Sequence, residues 1–414
     1  MAPFLPYLNL AYDFDLSLLR VLLVVVELGI ILNIWRRKKY QNWRLSKTSF
    51  LLTIFLLWSF GSLFWAPNFT WGARKLILWI NFFLLVLLAP AWLGKKEERG
   101  LKISKAIVWS GVAMALVGAG QFVAQWFFSP EKIFSFWLQF VSPIFTGASL
   151  SGLVNDFPSW FFDFNGTTMM RAVSFFPDPH MLGFFLGMTF FLSWGIFLAT
   201  KEKKYLIAEA LLLAGITLTF SRGAYLALLT ALVLTLPLFL RRIEFRLKKT
   251  ILGTISGFFL VLVFFGGPVI GRFFSSFDAT EGSNQGRIVI WTEALSLAQE
   301  KIFVGRGLGS YPFLVNPAAE YRSPVSAHNL YLEILTELGV MGLSIFLALI
   351  GVAFWRSWQR QKTNALFLGT SAALVYFLVH SFFEVSIYNP VILLVFCWLL
   401  LFPDSFQKQN CLEK

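Results

Sequence analysis

The chain has 414 residues, of which 57% are hydrophobic, 18% aromatic and only 14% charged, with a mean hydropathy of +0.69. A water-soluble domain carries roughly 25% charged residues to cover its surface, so a soluble enzyme is excluded and lipid is the implied solvent. The net charge of +13 would suit nucleic acid, but its placement along the chain, described below, assigns it to membrane orientation instead.

The opening "MAPFLPYLNLAYDFDLSLLR" lacks a basic n-region and a small-residue cleavage site, so no removable signal peptide is expected. Its Asp13 and Asp15 form a D-x-D pair of the kind some lipid-linked glycosyltransferases use to hold a divalent metal. The pair precedes the first apolar run and has no identifiable third ligand, which favours an interfacial role. Apolar runs long enough to span roughly 30 Å of hydrocarbon then recur along the whole chain. They lie near 17–35, 49–66, 75–93, 106–125, 180–199, 205–220, 224–240, 250–270, 329–354, 365–381 and 389–402. The composition therefore predicts an all-α polytopic membrane protein with about 11 transmembrane helices (10–12), in a single membrane domain over 1–414. Residues 205–240 cannot be one span, because at ~1.5 Å per residue a single helix would reach about 54 Å. The chain must turn at Ser221-Arg222-Gly223, which puts Arg222 at a membrane surface. Cys397 sits in an apolar run and Cys411 in the tail, so neither a disulfide framework nor a cysteine metal site is suggested.

The basic residues give orientation. With the N-terminus outside and the C-terminus cytoplasmic, the inner segments hold 24 of the 35 Lys and Arg residues, and every short loop alternates as the positive-inside rule requires. The basic clusters are then topological signals, and no nucleic-acid partner is expected. Two external loops are long, at 126–178 and 271–328. The first is unusually aromatic, which suits an interfacial or re-entrant segment. The second contains "NQGRIVIWTEALSLAQEKIFVGRGLGSY", whose middle has helical periodicity, consistent with an amphipathic helix on the outer surface. Loops of this length are uncommon in a compact bundle unless they carry function.

Arginines on the outer face need a reason, because positive-inside does not put them there. Arg171, Arg222, Arg287, Arg306 and Arg322 all fall there, with His328. A guanidinium is a planar fork of donors matched to phosphate oxygens, so several converging would suit a phosphorylated lipid. The alternative is that each pairs with a local carboxylate or a headgroup.

Four stretches, in this order, resemble the signature of the O-antigen ligase and O-antigen polymerase superfamily: "MMRAVSFFPDPHMLGFFL", "TLTFSRGAYLALL", "GRIVIWTEALSLAQEKIFVGRGLGSY" and "AHNLYLEILTELGVMGLSIF". The resemblance covers roughly residues 165–345 and departs at "PDPH", where many members carry "NPN", leaving the role of His180 open. It implies a GT-C-like glycosyltransferase of the bacterial inner membrane. Such an enzyme moves a glycan from an undecaprenyl-pyrophosphate carrier to a hydroxyl of a glycan or lipid-glycan acceptor at the outer face. On this reading His328 is the base or acceptor-hydroxyl ligand, and Arg171, Arg222 and Arg287 bind the pyrophosphate. Arg322 and Arg306 stand behind them, and neither metal nor cofactor is required. The residue chemistry agrees, since a sugar hydroxyl gains from a base with a pKa near neutrality and a leaving pyrophosphate from fixed positive charge. A polymerase of lipid-linked repeat units remains an alternative, as does a polysaccharide or lipid transporter. A transporter should show paired broken helices and midplane charges, whereas the charges here gather at one face.

Other motifs receive a structural reading. Glu333 and Glu337 share a helix face that points away from His328, so they should hold an arginine or a neighbouring helix. Gly339 and Gly342 suit a close helix contact. "GRGLGSY" has no preceding strand and is not a nucleotide loop. His380 and Glu384, four apart, should form a structural pair.

Overall fold

The computed structural model describes residues 2–11, 14–36, 46–93, 97–156, 159–164, 166–242, 267, 271, 282–319 and 325–404. The expected span at 250–270, except residue 267, lies outside the described residues, as do Asp13 and Arg322. Among the described residues the longer helices are, in chain order, α1 (Leu18–Arg36), α2 (Lys47–Ser62), α3 (Phe69–Leu93), α4 (Glu97–Val123), α5 (Pro179–Thr200), α6 (Lys204–Leu218), α7 (Arg222–Leu240), α8 (Gly282–Gln299), α9 (Leu330–Arg360), α10 (Leu366–His380) and α11 (Pro390–Leu401). Among the described residues, seven helices are long and apolar enough to cross a membrane, and α10 and α11 are shorter apolar helices.

The described residues are mostly helical, and among them are two small antiparallel hairpins that hydropathy did not announce. One pairs Tyr7–Ala11 with Phe14–Ser17, and the other pairs Phe161–Phe164 with Thr167–Met170. The second hairpin belongs to the aromatic segment 126–178, which also contains short helices at Pro130–Phe136, Ser142–Phe145 and Ala148–Asp156.

Helix α5 is the axis of the bundle. It is apolar on every side, as a helix enclosed by others must be, and from Leu182 to Leu198 every residue is buried. Asp178 caps its N-terminus and Pro179 occupies the first turn, where a missing N–H is harmless. Glycine lets α10 approach closely. A Cβ on Gly187 would lie 1.9 Å from the ring of Tyr376, and the Tyr376 hydroxyl donates to the Gly183 carbonyl at 2.8 Å.

The turn argued at 221–223 is present. Helix α6 ends at Leu218, Phe220 takes a left-handed φ of 48°, and Ser221 caps α7. A second interruption was not foreseen. Helix α9 breaks at Gly339, whose φ of 68° and ψ of −175° are not helical. The helix-contact role expected for this glycine gives way to a different one, because a Cβ there would lie 2.2 Å from the Phe303 carbonyl oxygen. Polar backbone released inside a membrane bundle must find internal partners, and the "GRGLGSY" loop provides them. Arg306 and Gly307 donate backbone N–H to the carbonyls of Thr336 and Glu337, both at 2.8 Å, and Val340 N–H donates to the Ile302 carbonyl at 2.8 Å. The indole of Trp58 answers the Leu338 carbonyl at 2.9 Å. Glu333 and Glu337 do hold a neighbouring helix, but through a lysine: Lys75 of α3 lies 2.9 Å from Glu333 and 2.7 Å from Glu337. These contacts fix the first turns of α9, and His328 immediately precedes them.

Candidate functional site at a convergence of helix N-termini

The N-termini of α5, α7 and α9 meet beside the C-terminus of α10. His180 of α5 shares a hydrogen bond with the Ser221 hydroxyl at the start of α7, Nδ1 to Oγ 2.9 Å. The Leu330 N–H of α9 donates to the Ser381 carbonyl just beyond α10 at 2.9 Å. Each helix N-terminus presents the equivalent of roughly half a positive charge, so a site where three meet favours anions before any side chain is counted.

His328 is placed by two local devices. Asn329 caps α9 by accepting from the N–H groups of Tyr331 and Leu332, and His328 itself takes a left-handed φ of 45°. That conformation is unfavourable for a residue with a Cβ and is typically held in place at functional sites. Its side chain faces Glu384 across the cluster, Nδ1 to Oε2 3.0 Å, and remains 37% exposed. The Glu384 charge raises the His328 pKa above its ordinary value, against a smaller opposing effect of burial. Burial pushes the Glu384 carboxyl up, but the positive charge of His328 and its neighbours prevails and holds it well below the usual carboxylate range. With a carboxylate on Nδ1, the neutral imidazole keeps its proton there and presents Nε2 as the acceptor.

The arginines differ in how they are engaged. Arg287 of α8 approaches Glu384 at 4.0 Å and is largely buried. Arg222 is buried in the first turn of α7, next to Ser221. Arg171, also buried, donates to the carbonyls of Thr219 at 2.8 Å, Ser159 at 3.0 Å and Phe220 at 3.2 Å. Its guanidinium also lies 3.5 Å from His180 Nε2. It therefore ties the end of α6 to the hairpin segment while placing positive charge against the cluster. Arg306 is not brought into this group: its guanidinium pairs with Glu300.

Sequence reasoning missed three members. Glu384 was assigned to His380, yet it bonds His328 instead. His380 is fully buried, with neither ring nitrogen hydrogen-bonded among the described residues, and packs at 4.3 Å on the Phe184 ring. Asp178 accepts from the Ser159 hydroxyl at 3.1 Å and from the His180 N–H. Burial and the nearby Glu384 charge raise its pKa. Ser221, read only as part of a turn, bridges His180 and α7. The ligand atoms of Asp178, His180 and Glu384 lie within 4.8 Å of one another and could in principle hold a metal ion. However, His180 Nδ1 is bonded to Ser221, Glu384 to His328, and the guanidinium of Arg171 flanks the cluster. A dication would have to displace these contacts and tolerate adjacent cations, so the donor set fits one poorly.

A mostly helical, multi-pass membrane protein with a basic, histidine-bearing site at one end of its bundle is the class these features define. Residues 207–347 match the O-antigen ligase family model, and the match supports membership of the O-antigen ligase superfamily. No curated protein matches the chain. Membership implies a glycosyltransferase-like membrane enzyme of O-antigen or polysaccharide synthesis. The matched stretch includes Ser221, Arg222, Arg287 and His328, while Arg171, Asp178, His180 and Glu384 come from outside it.

Proposed function

We propose that the protein is an O-antigen ligase-like transferase acting at the outer face of the bacterial inner membrane, with its N-terminus outside. It moves a glycan from undecaprenyl pyrophosphate to an acceptor hydroxyl. His328 Nε2 takes the hydroxyl proton as the acceptor oxygen attacks the anomeric carbon. The bond from that carbon to the phosphate oxygen breaks, and the lipid pyrophosphate leaves with the electron pair. Glu384 holds the imidazole in the tautomer that leaves Nε2 free and stabilises the imidazolium that forms. Arg222 and Arg287 carry the pyrophosphate, helped by the three helix N-termini. Arg171 acts mainly through its charge, since backbone carbonyls occupy most of its fork. The observation that carries this reading is the 3.0 Å His328–Glu384 contact with the largely buried Arg287 4.0 Å from the same carboxylate. Three arginines against Asp178 and Glu384 leave the cluster net positive, as a pyrophosphate requires.

The test is transfer by purified protein in lipid nanodiscs, supplied with a polyprenyl-pyrophosphate glycan and a lipid-glycan acceptor, with and without EDTA. Transfer to that acceptor, unchanged by the chelator, supports the reading. Activity abolished by EDTA and restored by Mg²⁺ would overturn the metal-free mechanism, and extension of a second lipid-linked glycan alone would make the protein a polymerase.

A further inference from the structure

A cavity of about 660 Å³ opens at the opposite end of the bundle from His328. It lies between the first turn of α4, the last turn of α5, the residues just after α7 and the start of α10. Helices α5, α7 and α10 carry His180, Arg222 and His380 at their other ends, so the cavity and the site occupy opposite faces of the same helices. Its walls are apolar at Leu101, Leu198 and Leu366, and its rim carries Lys201 and Arg242. We propose that this cavity binds the headgroup of an anionic phospholipid, with the glycerol and first acyl carbons against the leucines.

Three observations support that ligand class. The first is unbalanced charge. Nearby Lys105 and Lys204 both pair with Glu202, whereas among the described residues neither Lys201 nor Arg242 pairs with a carboxylate. Among the described residues, Lys201 Nζ donates to the Arg242 carbonyl at 3.2 Å, and the Arg242 guanidinium donates to Gln361 at 3.5 Å. Among the described residues of the lining Glu98 is the single carboxylate, set against the two cations Lys201 and Arg242. Secondly, Lys201 ends α5 in a left-handed conformation, φ 57°. Glycine is the usual residue at such a position because it has no Cβ to strain, and a lysine there instead supplies a cation at the rim. Thirdly, Asn364 uses its side-chain oxygen to cap the Leu366 N–H at 2.9 Å, which leaves its amide N–H groups as donors for phosphate oxygens. Apolar walls below a cationic rim match an amphiphile better than a free anion. By the charge distribution of the loops, this end also faces the leaflet where anionic lipids attract basic residues.

The experiment is native mass spectrometry of the purified full chain with phosphatidylglycerol and phosphatidylcholine at equal concentration. The wild type should retain phosphatidylglycerol preferentially. Arg242→Gln and Lys201→Gly, the latter compatible with the left-handed backbone, should each weaken that retention about fivefold and together about 25-fold. Lys203→Gln, an exposed lysine outside the lining, should leave it unchanged. All variants are first shown to be monodisperse. Equal retention of both lipids, or undiminished phosphatidylglycerol binding in the double variant, overturns the proposal. So does displacement of the lipid by millimolar inorganic phosphate, which would mark a free-anion site.

Discussion

Replacing Glu384 with Gln keeps the shape of the side chain and one carbonyl acceptor for His328, but removes the charge that both raises the histidine pKa and fixes its tautomer. The amide can present its N–H₂ as readily as its oxygen, so the orientation of the ring is no longer enforced. A hydrogen bond to a charged group contributes ~1.5–3 kcal/mol. Because the His328 side chain is 37% exposed, screening brings the stability loss towards ~1 kcal/mol. That loss has a pH window. The raised His328 pKa makes its contribution full below the ordinary value near ~6.5 and lost as pH rises through the raised value. The depressed Glu384 pKa makes its contribution full above the ordinary value near ~4.3 and lost as pH falls through the depressed one. The difference between wild type and Glu384→Gln should therefore be largest between about pH 4.5 and 6.5 and shrink in alkali. Activity runs the other way, since a base works unprotonated. The rising limb of transfer rate against pH should move to lower pH in the variant. The plateau should fall within the ~10²–10⁴-fold contribution typical of general bases. The assay is transfer rate in nanodiscs from pH 5 to 9, paired with thermal unfolding. An unmoved limb with near-normal turnover would refute the dyad.

Other perturbations have distinct readouts. Lys75→Met leaves two buried carboxylates facing each other and should cost about 3–5 kcal/mol in detergent unfolding, which Lys75→Met/Glu333→Gln/Glu337→Gln should largely restore. A melting temperature that is unchanged in the single variant would remove the triad from the account of how α9 is held. Arg222→Lys keeps charge without the bidentate fork and Arg222→Ala loses both, so donor affinity should fall in graded steps, alanine lowest; equal affinities for the three proteins would assign Arg222 to the turn alone. Orientation is tested by cysteine labelling in spheroplasts. Ala318 and Lys362 are exposed. Ala318→Cys should react with an impermeant reagent in intact cells and Lys362→Cys only after permeabilisation, and the reverse pattern would move the site to the cytoplasm.

Much of this architecture was legible because its signals are local. Span length limits apolar runs, so the break before Arg222 follows from 36 consecutive residues that no single bilayer could hold. Expected outer placement singled out His328, Arg171, Arg222 and Arg287, which the structure brings to one end of the bundle. It also singled out Arg306, which pairs with Glu300 instead. What stayed hidden depends on tertiary contact. Glu384 is separated from His328 by 56 residues, and its spacing from His380 suggested a helical pair. The chain leaves α10 at Ser381, so that helical geometry never forms and the carboxylate swings to the start of α9. Lys75 lies inside a long apolar run that gave no hint of two buried glutamates opposite it. The Gly339 break is invisible to hydropathy because the sequence on both sides remains helical and apolar. Only the partner loop, Ile302 to Gly307, reveals that the backbone is satisfied without a continuous helix.

In the proposed mechanism His328 accepts the proton of the attacking hydroxyl while other residues hold the donor. The most direct measurement is His328→Ala, assayed for both transfer rate and affinity for the polyprenyl-pyrophosphate glycan in the same nanodisc preparation. Turnover should fall by about 10²–10⁴-fold, with donor affinity nearly unchanged. A monodisperse His328→Ala protein that transfers glycan at close to the wild-type rate would contradict it, leaving His328 as a residue that merely precedes the cap of α9.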